Sequence, residues 1–141
     1  MVKMIVGEKG RGKTKILLDM VNEAAGAATG NIVFIDKDKS HMFELKNMIR
    51  LVNTGDYNIK NTDKFLGFAE GIISADHDRE KLFIDNFLKV SKTSDPIGDV
   101  AETIKELDMI SNKFSIEIII SLAVTKGELP GELQEKVIKA V

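Results

Sequence analysis

Val2-Lys3-Met4-Ile5-Val6-Gly7-Glu8-Lys9-Gly10-Arg11-Gly12-Lys13-Thr14 joins a short, mostly apolar run to the pattern G-x-x-x-x-G-K-T. The run stops at a glycine and shows little polar alternation, which predicts a buried parallel strand. The pattern behind it is the phosphate-binding loop, or Walker A motif. Glycines let the backbone fold around an anion, so that successive N–H groups face phosphate oxygens. The expected nucleotide contacts are Gly7, Glu8, Lys9, Gly10, Arg11, Gly12, Lys13, Thr14 and Lys15. Lys13 would reach the β- and γ-phosphates, and Thr14 would offer its hydroxyl to Mg²⁺. The helix that opens there adds the positive end of its dipole.

Working outward, residues 13–27 carry Ile16, Leu17, Met20, Val21, Ala24 and Ala27 at helical spacing, and glycines near residues 26–30 end that helix. Residues 31–35 predict a second buried strand. Residues 40–48 fit a short helix or an irregular strand equally well. Residues 49–53 predict another strand, followed by the turn signal Thr54-Gly55-Asp56. Asn61 or Thr62 can cap a helix whose inner face is Phe65, Phe68, Ala69, Ile72 and Ile73. Gly67 and Gly71 in it suggest close packing against a neighbour. Residues 81–85 predict a strand, and Asp95 before Pro96 predicts the approach to a helix bearing Val100, Ile104, Leu107, Ile110 and Phe114. Residues 116–124 predict the last strand, and Leu129-Pro130 leads into a terminal helix with Leu133, Val137 and Ile138 inside.

This order predicts one α/β domain over residues 1–141, in three layers. A mostly parallel sheet of about five strands is covered by helices on both faces. Ligands of such sheets bind beyond the carboxyl ends of the strands, where the glycine loop, Asp36, Asp85 and residues 121–125 all fall.

Leu82-Phe83-Ile84-Asp85 has the Walker B form, an apolar strand ending in a carboxylate that can hold Mg²⁺ through water. Asn86, not glutamate, follows it, and asparagine cannot take a proton from water at neutral pH. Asp36 is the alternative catalytic carboxylate beside Lys13; the competing reading is a solvated group paired with Lys37 or Lys39. Ser121 or Thr125 is a candidate sensor of the γ-phosphate, although a strand-end hydroxyl more often caps a turn. Thr125-Lys126-Gly127-Glu128 approaches a guanine-reading motif, but Glu replaces Asp and a capping box explains T-x-x-E better.

Composition narrows the classes. The chain has 141 residues, 43% of them hydrophobic, enough for one core without staples. Twenty basic against 22 acidic side chains give a formal charge of −2, which provides no global field for nucleic acid. There is no cysteine, which excludes disulfides and thiolate metal sites. No apolar stretch approaches the ~20 residues of a membrane span. The first strand starts within two residues of the N-terminus, leaving no room for a targeting segment, so a cytoplasmic protein is expected.

From Met4-Ile5-Val6 through GEKGRGKT, Leu82-Phe83-Ile84-Asp85 and Leu129-Pro130, the chain resembles a group of small Firmicutes-type proteins labelled twitching motility protein PilT or P-loop ATPase. The resemblance implies a P-loop NTPase core of the RecA-like kind, with ATP and Mg²⁺ held by residues 7–14 and Asp85. It does not imply pilus retraction. In pilus-type and related hexameric ATPases the catalytic glutamate ends a neighbouring strand, which by resemblance points to Asp36. A homo-oligomer or a protein partner is then expected. Three functions follow from the residues: an ATP–Mg²⁺-binding protein with slow ATPase activity, a small-molecule or nucleotide kinase, and a non-catalytic nucleotide-dependent regulatory module. Only Arg11, Arg50 and Arg79 are available to neutralise two polyphosphates, which weakens the kinase reading.

Overall fold

The computed structural model describes residues 1–93 and 98–141. In chain order the strands are β1 (Val2–Val6), β2 (Asn31–Asp36), β3 (Ile49–Asn53), β4 (Arg79–Ile84), β5 (Glu117–Leu122) and β6 (Val137–Ala140). The helices are α1 (Lys13–Ala27), α2 (Thr62–Ser74), the single turn α3 (Phe87–Val90), α4 (Gly98–Phe114) and the single turn α5 (Gly131–Gln134). All six strands run parallel in one sheet, ordered β3-β2-β4-β5-β1-β6. Residues 40–48, open to two readings in the sequence, hold a single 3-10 turn at Met42–Glu44 before β3. The predicted cap Asp95 lies outside the described residues.

Alternation along the strands sorts side chains into two layers of core. Ile32 and Phe34 of β2 pack with Leu17, Leu18, Val21 and Ala25 of α1. Val33 and Ile35, one step out of phase, join Phe65, Ala69 and Ile73 of α2 and Val100, Ile104 and Leu107 of α4 on the opposite face. Of the apolar positions named from spacing on these helices, Leu17, Val21, Phe65, Ala69, Ile73, Val100, Ile104, Leu107 and Ile110 are buried. Ile16, Met20, Ala24, Phe68, Ile72 and Phe114 are half-buried against the core, and Ala27 is exposed. Asn61 caps α2 as expected, its side chain accepting from the Lys64 N–H.

The structure corrects the sequence at three places. The sheet has six strands rather than about five, and residues 116–124 do not form the last one. In place of a terminal helix, α5 stops after one turn with the Lys136 N–H donating to the Leu133 carbonyl at 3.0 Å, and the chain then runs out as β6. Leu133 is buried as predicted, but Val137 is half-buried and Ile138 exposed. Without this strand the outer edge of β1 would have unpaired backbone groups. Pairing satisfies them: the Met4 N–H donates to Lys136 and the Val141 N–H to Val6, both at 2.9 Å. Two adjacent β-branched residues favour that edge over a marginal second helical turn.

The third correction concerns Gly67 and Gly71. A Cβ added at either would meet nothing within 4 Å, so neither glycine is required by a close neighbour. Both then carry the entropic cost of glycine inside a helix with nothing gained in packing. Gly67→Ala and Gly71→Ala should each stabilise the protein by about 0.5–1 kcal/mol, raising Tm by roughly 2–5 °C apiece. Thermal unfolding followed by circular dichroism checks this; a loss of Tm in either variant would mean that the helix surface is covered.

Candidate anion-binding site

The chain leaves β1 through residues 7–12 and enters α1 without a side-chain cap. Gly10 and Gly12 hold φ of 84° and 85°, a left-handed conformation costly for other residues. Gly12 is the N-cap, and no acidic side chain sits in the first turn of α1. The first N–H groups of α1 and the positive end of its dipole thus face outward with no carboxylate from their own turn to cap them. In front of them lies a cavity of about 380 Å³, bordered by Lys9, Gly10, Gly12, Lys13 and Thr14 on one side and by Asp85, Asn86 and Ser121 on the other.

Sheet order explains why these residues meet. β5 separates β1 from β4, so the end of β4 lies across the cavity mouth from the loop rather than against it. Asp85, only 4% exposed, accepts hydrogen bonds from the Thr14 hydroxyl at 2.9 Å and the Ser121 hydroxyl at 2.6 Å. Ser121 accepts in turn from the Asn86 N–H at 2.8 Å. Both Asp85 oxygens are therefore aimed by hydroxyls from flanking elements. Lys13 folds over the loop, its ammonium donating to the Glu8 carbonyl at 2.9 Å. Burial holds this ammonium below its usual range, opposed by the charge of Asp85.

Asp36 stands beside this pair, because Ile35 of β2 is opposite Ile84 of β4 and each strand then ends in an aspartate. It is 1% exposed, which removes the solvated alternative, and it makes no ion pair among the described residues. One carboxyl oxygen accepts from the Lys37 N–H at 2.7 Å; the other is buried with no hydrogen-bond partner among the described residues. Burial, helped by the charge of Asp85 and opposed by the Lys37 N–H, pushes its pKa up to about 6. Asp36 is thus a group beside the glycine loop that can exchange a proton close to neutral pH.

Not every predicted contact lines the cavity. Arg11 lies 3.8 Å from Glu8 and Lys15 lies 3.4 Å from Asp19, both pairs outside it. Gly7 is under the chain behind β6, where a Cβ would come within 2.6 Å of the Val141 carbonyl oxygen. Thr125 donates to the Glu128 carboxylate at 2.9 Å, a contact between side chains that replaces the capping box expected of T-x-x-E, because the Thr125 side chain caps no backbone N–H, and it does not border the cavity. Lys37 and Lys89 do border it, and sequence reasoning did not select them. The available signal was position: Lys37 directly follows Asp36, and Lys89 lies one helical turn beyond Asp85.

Among the described residues no group of three or more His, Cys, Asp or Glu side chains is placed to hold a metal by itself. Thr14 and Asp85 nevertheless form a paired set of hard oxygen donors. That suits an ion such as Mg²⁺, which draws few ligands from protein and completes its shell with phosphate and water. No helix is long and apolar enough to cross a membrane among the described residues. Compared with known proteins, the chain matches no family model and no curated protein.

The Asp36 shift sets a pH dependence. Its folded value exceeds the usual 3.8. The folded state therefore keeps a proton that the unfolded chain releases, and stability falls as pH rises through the window from about 4 to about 6. Asp36→Asn removes this loss. Its Tm relative to the natural chain should climb by roughly 7–10 °C between pH 4 and pH 7, equivalent to about 2–3 kcal/mol at this length. A difference that stays flat over that range would show that Asp36 ionises normally.

Proposed function

We propose that this chain is a P-loop nucleotide-binding protein of RecA-like type that holds ATP with Mg²⁺ at residues 7–14. One observation carries the reading: Thr14 and Asp85, 71 positions apart, meet at 2.9 Å at the mouth of an uncapped glycine loop. The N–H groups of the loop receive the β-phosphate, and Lys13 exchanges the Glu8 carbonyl for β- and γ-phosphate oxygens. Thr14 would hold Mg²⁺ directly and Asp85 through water. When bound, the ion neutralises charge on the phosphates. Lys37 and Lys89, on the far rim of the cavity, add positive charge where the γ-phosphate would lie. The choice of ATP rests on the resemblance to small P-loop ATPases and on Glu128 standing where a guanine-reading motif carries aspartate.

Slow hydrolysis is the activity that Asp36 favours. Its unpartnered oxygen and raised pKa suit a group that orients water and takes its proton, a role Asn86 cannot fill. Motility is not part of the proposal.

Isothermal titration calorimetry with ATP and Mg²⁺ tests binding. Lys13→Ala should weaken it by roughly 10–100-fold, the range expected for losing a charge-assisted contact to phosphate. Asp85→Asn should weaken it only when Mg²⁺ is present. Equal isotherms for the natural chain and Lys13→Ala would sink the reading. For turnover, Asp36→Asn should keep ATP binding and lose phosphate release; unchanged release would remove Asp36 from the mechanism.

A further inference from the structure

A second cavity of about 290 Å³ opens beside the first, between the end of β2, the turn after β3 and the end of α3. Lys37, Lys89 and Lys92 border it together with Tyr57, Ile59 and Thr54. None of these three lysines forms an ion pair among the described residues. Lys92 also borders a groove containing Asp63, Glu102 and Glu106, but pairs with none of them. Three like charges gathered around one concavity repel each other, and a bound anion relieves that repulsion.

The walls are fixed without a ligand. The Thr54 hydroxyl donates to the Asp36 carbonyl at 3.2 Å, and the Gly55 N–H to the Asn53 side chain at 2.9 Å. The Tyr57 ring lies against Phe68 at 4.9 Å. Lys92 takes a left-handed φ of 59°, with its N–H on the Lys89 carbonyl at 3.3 Å and its own carbonyl accepting from Thr62 at 3.4 Å. Backbone bonds thus hold Lys92 beside the cavity.

We propose that this cavity binds a small phosphate monoester, next to the ligand of the glycine loop. Three ammonium groups suit a dianion better than a monoanion, and Tyr57 and Ile59 give an organic body an apolar surface that inorganic phosphate would not use. A bounded pit in a chain of net charge −2 favours a small molecule over a nucleic-acid backbone, which needs an extended basic track. Lys37 and Lys89 border both cavities, so the anionic ends of the two ligands face each other across shared cations. The second site does not depend on the glycine loop being a nucleotide site.

Calorimetric titration with D-ribose 5-phosphate, with and without Mg²⁺ and a non-hydrolysable ATP analogue, tests the assignment. Saturable binding is expected to persist in Lys13→Ala, to weaken roughly tenfold in Lys92→Gln and to be absent for D-ribose. Lys92 is exposed, so an unchanged melting curve for Lys92→Gln confirms that it folds. No binding, equal binding of D-ribose, or loss in Lys13→Ala with retention in Lys92→Gln would each overturn the proposal. So would a thymidine decamer that binds more tightly at the same lysines. Failure of nucleotide binding would leave the isotherm in place, which separates the two readings.

Discussion

Six strands running the same way must deliver their carboxyl ends to one edge, and that constraint organises everything else in the molecule. A parallel sheet needs crossovers, which place α1 on one face and α2 and α4 on the other. Both faces are then dry, so polar chemistry is confined to the edge. There the chain turns from strand to loop and the backbone stops being paired. Asp36, Asp85 and Ser121 are polar for that reason: each stands at or just beyond the last residues of a buried strand, where a carboxyl or hydroxyl still finds a donor or acceptor.

The electrostatics of that edge are unbalanced by design of position rather than by total charge. Two neighbouring buried carboxyl groups differ because their surroundings differ. Asp85 accepts from two hydroxyls, whereas Asp36 has one backbone N–H and an oxygen with no partner among the described residues. Burial pushes the Asp36 pKa up, and the charge of Asp85 adds to that. Facing them are lysines drawn from the loop, from the end of β2 and from α3. The concavity thus has lysines on one wall and the buried Asp85 carboxyl group on the other.

Much of this was legible because it is local. A buried strand followed by a glycine-rich turn and a helical stripe is written in consecutive residues, and the strand-end positions of Asp36 and Asp85 follow from the apolar runs before them. β6 was not legible: Leu133, Val137 and Ile138 are spaced for a helix, and only the unpaired edge of β1, more than a hundred residues away, decides otherwise. Gly67 and Gly71 misled for the same reason, since spacing cannot say whether a neighbour is present. Lys37 and Lys89 look like ordinary surface lysines until the sheet order brings the ends of β2 and β4 together at the cavity rim.

The pairing of β1 carries a consequence for synthesis. Its two partners are β5 and β6, so residues near the start of the chain are clasped by residues 117–122 and 137–140. A ribosome releases the glycine loop more than a hundred residues before its lateral supports. During most of translation the strand that roots the loop has neither lateral partner, and its apolar residues wait in an incomplete sheet. The strand that roots the loop is flanked on both sides only after residues 117–140 have emerged. A nascent chain arrested before β5 would carry the sequence motif without the shape.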